Sequence, residues 1–224
     1  MLEPGFYNMD CMEGMKQFPD KFFDIAIVDP PYGGVTQGGY MRNQISGGVA
    51  QNKVYHLAIW GCKAPTAEYF AELIRVSKNQ VIWGGNYYAN MLPNSQCWIV
   101  WDKCKPEGVS YADFEMAWTS FDRAARLFRF MWHGMLQGDM QHKETKIHPT
   151  QKPIALYKWI LDNFSNKNDV VLDTHVGSAS SLIACYETGH EYYGFEIDPI
   201  YYADAKKRLF EAESQVNMFG ILNN

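Results

Sequence analysis

The sequence predicts an α/β fold built on a doubly wound, mostly parallel sheet, and three observations carry that prediction. Short apolar runs alternate with amphipathic stretches along most of the chain. Three of those runs end in an acidic residue followed by a turn, as ligand-binding strand ends do in such sheets. The length, 224 residues, suits one large domain, or one domain with an insertion.

The elements follow in order. Residues 22–28 (FFDIAIV) read as a buried parallel strand. Thr66 is placed to cap a helix reaching about Ser77, with Tyr69, Phe70, Leu73 and Ile74 on one face. Residues 80–84 (QVIWG) and 97–101 (CWIVW) are strand-like. Residues 114–121 and 127–132 flank a polar DRAAR segment and predict a hairpin. Pro153 suits the first position of a helix running to about Phe164. Residues 169–173 predict a strand, 178–188 a helix, 191–196 a strand and 199–213 a helix. Residues 33–48 hold six glycines and read as a long loop.

Composition narrows the function. Apolar residues make up 47% and charged residues 20%, so the chain has material for a core and is not a disordered segment. The five cysteines (Cys11, Cys62, Cys97, Cys104, Cys185) are odd in number and form no C-x-x-C, which points away from a disulfide framework or structural zinc and toward a reducing cytoplasm. No metal is expected. No apolar run is long enough for a membrane span, and the first residues lack the apolar stretch of a signal peptide. The net charge of −5 argues against a general nucleic-acid coat, yet residues 121–152 carry six Lys/Arg against three acids and are locally basic.

Three strand ends carry the candidate chemistry. Asp29-Pro30-Pro31-Tyr32 follows the first strand; its prolines stiffen the backbone and remove two N–H donors. The turn then offers a carboxylate, a Pro30 carbonyl and the Tyr32 ring, which suits a planar ligand bearing an amino group. Asp173-Thr174-His175-Val176-Gly177-Ser178-Ala179-Ser180 is a small-residue turn entering a helix, where a ligand can approach the backbone. Glu196-Ile197-Asp198 ends the next strand about twenty residues later, where an acid accepts from ribose hydroxyls.

Taken in order, D-P-P-Y (29–32), H-P-T-Q-K-P (148–153), V-L-D-x-x-x-G-S (171–178) and F-E-I-D (195–198) resemble the amino-group DNA methyltransferases. The catalytic turn precedes the cofactor turn, as in the permuted, β-type arrangement of that family. The resemblance covers nearly the whole chain. It implies a Rossmann-like methyltransferase fold, S-adenosylmethionine as cofactor and transfer to adenine N6 of a base flipped from double-stranded DNA. Cytosine N4 is the alternative chemistry, and a DNA-binding regulator without catalysis the alternative class. A cytosine-C5 enzyme lacks its Pro-Cys pair here, a zinc deaminase its P-C-x-x-C, and a dehydrogenase its glycine fingerprint.

The resemblance also distributes roles. Asp29, Pro30, Pro31 and Tyr32 form the catalytic turn. Asp10, with Cys11 beside it, contacts the cofactor adenine and Glu196 the ribose. Asp173, Thr174, His175, Gly177 and Ser178 line the cofactor turn, with Ile197 and Asp198 beyond. His148, Thr150 and Lys152 flank the cofactor, the last two at its amino-acid end. The family's cofactor turn reads D-P-F-x-G-S-G-T, whereas Thr174, His175 and Ala179 replace Pro, Phe and the second Gly here. Ala179 is expected at negative φ. The chain divides into a catalytic half (1–102), a short target-recognition insertion (103–147) and a cofactor half (148–224). Arg123, Arg126 and Arg129 are expected to line one face toward phosphates, with Arg42 and Lys53 in the glycine-rich loop 33–57. An insertion this short leaves a homodimer as one way to complete recognition. A bacterial or phage origin is the family expectation.

Overall fold

The computed structural model describes residues 1–33, 64–108, 112–133 and 135–222, with side chains through residue 215. The glycine-rich loop, with Arg42 and Lys53, lies outside the described residues.

Eight described strands join in one sheet. They are β1 (Gly5–Asn8), β2 (Phe23–Val28), β3 (Ser77–Trp83), β4 (Trp98–Asp102), β5 (Phe114–Thr119), β6 (Arg126–Arg129), β9 (Val170–Asp173) and β10 (Glu191–Glu196). Their order is β1-β10-β9-β2-β3-β5-β4-β6, and β5 alone runs antiparallel to its neighbours. A small hairpin, β7 (Trp132–His133) with β8 (Leu136–Gln137), stands apart. Helices α1 (Cys11–Met15) and α2 (Ala67–Val76) cover one face, and α3 (Ile154–Phe164) and α4 (Ser180–Thr188) the other. Helix α5 (Pro199–Leu222) packs against α4, β10 and β1.

The strand periodicity builds both halves of the core at once. In β2, Ile25 and Ile27 face α3, while Ala26 and Val28 face α2. A strand covered on both faces has no polar side, which is why residues 25–28 are apolar throughout. Helix α2 offers Tyr69, Phe70, Leu73 and Val76 to that core at helical spacing. Thr66 stands at its N-cap, as expected, but its hydroxyl caps no backbone amide.

Three expectations need correction. Residues 114–119 and 126–129 do not form a hairpin. β5 lies between β3 and β4, and β6 pairs parallel with β4 instead. β5 carries buried Ala117 and Trp118 on opposite faces, so it needs cover on both, which an interior position in the sheet supplies. For the same reason residues 103–147 are not a separate insertion, since β5 is part of the central sheet. Ala179 adopts φ +61 and ψ 17, not a negative φ. That conformation costs a non-glycine residue about 1–2 kcal/mol. Its buried methyl packs with Val176 and Leu182, and its backbone bonds to Val176 O and Ile183 N offset the cost.

The order of strands matters most at β9 and β2. The chain proceeds from β9 outward to β10, and from β2 outward to β3 in the opposite direction. These adjacent strands therefore form a switch point, with a crevice outside their carboxyl ends. Asp173 ends one of them and Asp29 follows the other.

Candidate active site

The turn after β2 is held by aromatic side chains from the neighbouring strand end. β3 leads into Gly84, at φ +69, and a single 3₁₀ turn, Gly85–Tyr87. A Cβ at Gly84 would overlap the Tyr32 ring, so only glycine admits that ring. Tyr32 stacks on Tyr87 at 4.9 Å between centroids and 24° between planes. The Tyr88 hydroxyl donates to the Pro30 and Pro31 carbonyls at 3.0 and 2.8 Å. Prolines lack N–H groups, so these carbonyls are the turn's backbone polar groups, and Tyr88 leaves each a second lone pair.

Asp29 stands at one end of a partly buried ionic row. Its Oδ1 accepts the Tyr32 hydroxyl at 2.7 Å, and its Oδ2 pairs with the Lys152 ammonium. Lys152, its side chain only 3% exposed, also reaches Glu115 Oε2 at 3.2 Å. Glu115 in turn pairs with Lys103. Burial alone would discharge Lys152, but Asp29 and Glu115 raise its affinity for the proton above that of an ordinary lysine. Burial likewise opposes the Glu115 charge, and Lys152 and Lys103 outweigh it, holding this carboxyl at about 2. The Tyr32 phenol is pushed well up, by burial and then by the Asp29 carboxylate, so it remains a donor. The resemblance puts Lys152 at the amino-acid end of the cofactor; its ammonium lies on the turn Asp29–Tyr32.

On the other side of the switch point three acids, Asp173, Glu196 and Asp10, stand at or just beyond the ends of neighbouring strands. β1, β10 and β9 are consecutive in the sheet, with Asn8 opposite Glu196 and Gly194 opposite Asp173. Asp173, 2% exposed, accepts from His175 N at 2.9 Å and from the Ser181 hydroxyl. Burial outweighs those donors and pushes its carboxyl up to about 7. Glu196 accepts from Gly177 N and Asp198 N, both at 2.9 Å, and burial raises it too. Asp10 caps α1 through Oδ1, accepting from Met12 N and Glu13 N. Asp198 caps α5 in the same way, while Ile197 is half exposed beside it. Burial pushes the Cys11 thiol up to about 12, so it is no nucleophile near neutrality.

The unusual residues of the turn after β9 have structural partners. Thr174 Oγ1 bonds to the Tyr69 hydroxyl at 2.6 Å and to His175 Nδ1 at 2.9 Å, and the His175 ring stands edge-on to Tyr69. Burial holds His175 at about 4, so the ring is neutral and tolerates that apolar slot. Gly177 takes φ +57, with Ser178 Oγ on Ser180 Oγ. His148, also held near 4 by burial and then by Lys152, packs against Tyr201 and bonds to the Thr150 hydroxyl.

The arginines expected to share a face do not. Strand residues alternate, so Arg126 points with Phe128 toward α3, bonding Asn163, while Arg129 points the other way, toward Asp102. Arg123 is bound to the end of α3: its guanidinium lies 3.7 Å from the Phe164 ring centre and donates to Asn163 O at 2.7 Å.

Sequence reasoning missed Glu115, Lys103, Tyr69, Tyr87 and Tyr88. Two signals were present. Glu115 is an acid inside an otherwise apolar strand, FEMAWT, and Gly84-Gly85-Asn86-Tyr87-Tyr88 is a further strand-end turn with paired glycines and aromatics. Among the described residues, no group of three or more His, Cys, Asp or Glu is arranged to hold a metal ion, and no helix is long and apolar enough to cross a membrane.

The N6/N4 DNA methylase family model matches residues 51–207. The type II methyltransferase M2.MboI of Moraxella bovis is 24% identical, over 92% of this chain and 88% of its own length. The type II methyltransferase M.HinfI of Haemophilus influenzae is 26% identical, over 96% and 70%. The M1.HpyAVI–SAM complex has the same fold, with TM-score 0.57 at 24% identity over 91% of this chain and 98% of that one. So does the cytosine-N4-specific PvuII DNA methyltransferase, with TM-score 0.59 at 11% identity over 96% and 93%. With the family model spanning well over half of its length, the chain belongs to the N6/N4 DNA methylases.

Proposed function

We propose that this methylase uses S-adenosylmethionine to methylate the N6 amino group of an adenine turned out of double-stranded DNA. The observation that carries the reading is the position of Asp29, a partly buried carboxylate just after the strand adjacent to the one that ends in Asp173. An amino-group site and a nucleoside site would then share one crevice.

The residues fit the cofactor. Asp10 Oδ2 accepts no hydrogen bond among the described residues, and Glu196 is a buried acid whose two bonds leave lone pairs for ribose hydroxyls. Asp10, Glu196 and the Gly177 turn would hold the adenosyl part, with Asp173 beneath them. When bound, S-adenosylmethionine supplies an electrophilic methyl group on sulfur.

The rest is the work of the chain. Asp29 and the Pro30 carbonyl accept the two N–H groups of the target amine, which turns the nitrogen lone pair toward the methyl donor. Tyr32 stacks on the base, and Tyr87 lies parallel to it. Positioning supplies much of the acceleration, and the buried anionic site assists as positive charge develops on the nitrogen. Stacking offsets the few kcal/mol needed to remove the base from the duplex. Arg129, 70% exposed at its side chain, is the arginine of the three best placed to exchange its Asp102 partner for a phosphate.

Methylome sequencing of DNA from cells expressing the protein tests this reading, with Asp29→Ala alongside. N6-methyladenine at a defined sequence is expected from the wild type and none from the variant, whose fold and cofactor affinity persist. N4-methylcytosine would replace adenine as the target. Full transfer by the folded variant would remove Asp29 from catalysis.

A further inference from the structure

Lys152 is shared. Its ammonium lies between the Asp29 and Glu115 carboxylates, over the Trp83 ring at 5.3 Å, with the Tyr32 hydroxyl at 3.5 Å. Glu115 comes from β5, two strands away from β2, and has no place in the three strand-end motifs. A buried lysine needs one counter-charge, and this one has two. The second carboxylate is itself anchored by Lys103, so it is fixed in place while Lys152 bridges.

We propose that Glu115 is a positioning residue for methyl transfer, dividing the Lys152 ammonium with Asp29 so that Asp29 remains an open acceptor for the target amino group. The inference rests on the function proposed above. An ammonium has three N–H groups, and in a dry site with a single carboxylate it settles wholly onto that partner. With Glu115 present, the two carboxylates and two ammoniums of the row Asp29, Lys152, Glu115 and Lys103 balance, so the Lys152 charge is not spent on Asp29 alone and Asp29 stays attractive to the N–H of an incoming neutral amine. Without the Glu115 charge the row of Asp29, Lys152 and Lys103 carries one net positive charge, and the Lys152 ammonium, already on Asp29 Oδ2, has no second carboxylate drawing on it, so the negative charge that the amine needs is neutralised. Electrostatic attraction to the substrate and its placement would then weaken together. A solely structural Glu115 would lower stability when replaced and leave the rate per folded molecule unchanged.

The test uses the full chain as wild type, Glu115→Gln and Glu115→Asp. The first measurement needs no substrate. Lysine side chains are labelled with ¹⁵N, the Lys152 signal is assigned by its loss in Lys152→Arg, and the ammonium is titrated by NMR. The groups facing it are Asp29 and Tyr32 from the turn after β2, Glu115 from β5 and His148 from its own segment, with Lys103 acting through Glu115. The Lys152 midpoint should fall in Glu115→Gln and recover in part in Glu115→Asp. The second measurement is single-turnover methyl transfer. In Glu115→Gln the rate should fall by about 10- to 100-fold, a range set by misplacement of about an ångström. The alkaline limb of its pH profile should move down with the Lys152 midpoint, and cofactor affinity should not change. An unchanged Lys152 midpoint overturns the proposal. So does an unchanged rate in folded Glu115→Gln when the wild type is active. A wild type that transfers no methyl group refutes the proposed function instead, and the titration still decides whether Glu115 controls Lys152.

Discussion

Replacing Asp173 by Asn removes the carboxyl group whose surroundings most oppose its charge. The group is 2% exposed, and its affinity for a proton is raised from the ordinary 3.8 to about 7. That difference is roughly 3 pKa units, or about 4 kcal/mol between the two protonation states. Below about pH 4 the carboxyl is neutral in both folded and unfolded chains. As pH rises toward 7 the unfolded chain releases the proton first, so the folded protein holds more protons and loses stability. The slope reaches about 1.4 kcal/mol per pH unit and vanishes above the folded value. Asn never ionises, so the variant lacks this slope. It has a fixed cost instead, about 1–3 kcal/mol, because either Ser181 or His175 then faces an amide NH₂. His148 and His175, both held near 4, titrate in both proteins and cancel. Urea unfolding at about pH 5, 6, 7 and 8 should show the variant less stable at the acid end, with the gap closing or reversing by neutrality. A difference that stays constant across that range would mean that Asp173 ionises as freely in the folded protein as in the unfolded one.

Other perturbations read separate parts of the molecule. Lys152→Met leaves the partly buried Asp29 without its cation and Glu115 with Lys103 alone, and unfolding free energy should drop by about 2–3 kcal/mol at neutral pH; a loss under about 1 kcal/mol would contradict the ionic row. Gly84→Ala forces a methyl into the Tyr32 ring at φ +69, so stability should fall by about 1–3 kcal/mol and methyl transfer should decline much more than cofactor affinity. Equal losses of both would place the damage outside the catalytic turn. Arg123→Ala should cost about 2 kcal/mol of stability, through the lost Phe164 and Asn163 contacts, and leave the salt dependence of DNA binding unchanged. Arg129→Ala should do the reverse, lowering the slope of log K against log salt by about 0.9, and an unchanged slope would place the grip elsewhere.

Much of this protein was legible before any tertiary structure. Runs such as 25–28 and 170–172 are apolar because they are covered on both faces, and the acids that follow them, Asp29 and Asp173, mark where a parallel sheet leaves its crevice. Those are local properties, written in consecutive residues. The partners of each group were not. Residues 114–119 and 126–129 look like a hairpin because they are close in sequence, yet strand pairing is decided by which edges remain open once the core is covered. Ala179 looks confined to negative φ until its burial and its two backbone bonds are known. The three arginines look like one basic surface until strand alternation sends Arg126 and Arg129 to opposite faces and Phe164 engages Arg123. Only the folded chain brings Lys152 across from residue 29 to Glu115, because charges buried in a low dielectric must find one another through space, and sequence separation does not measure that distance.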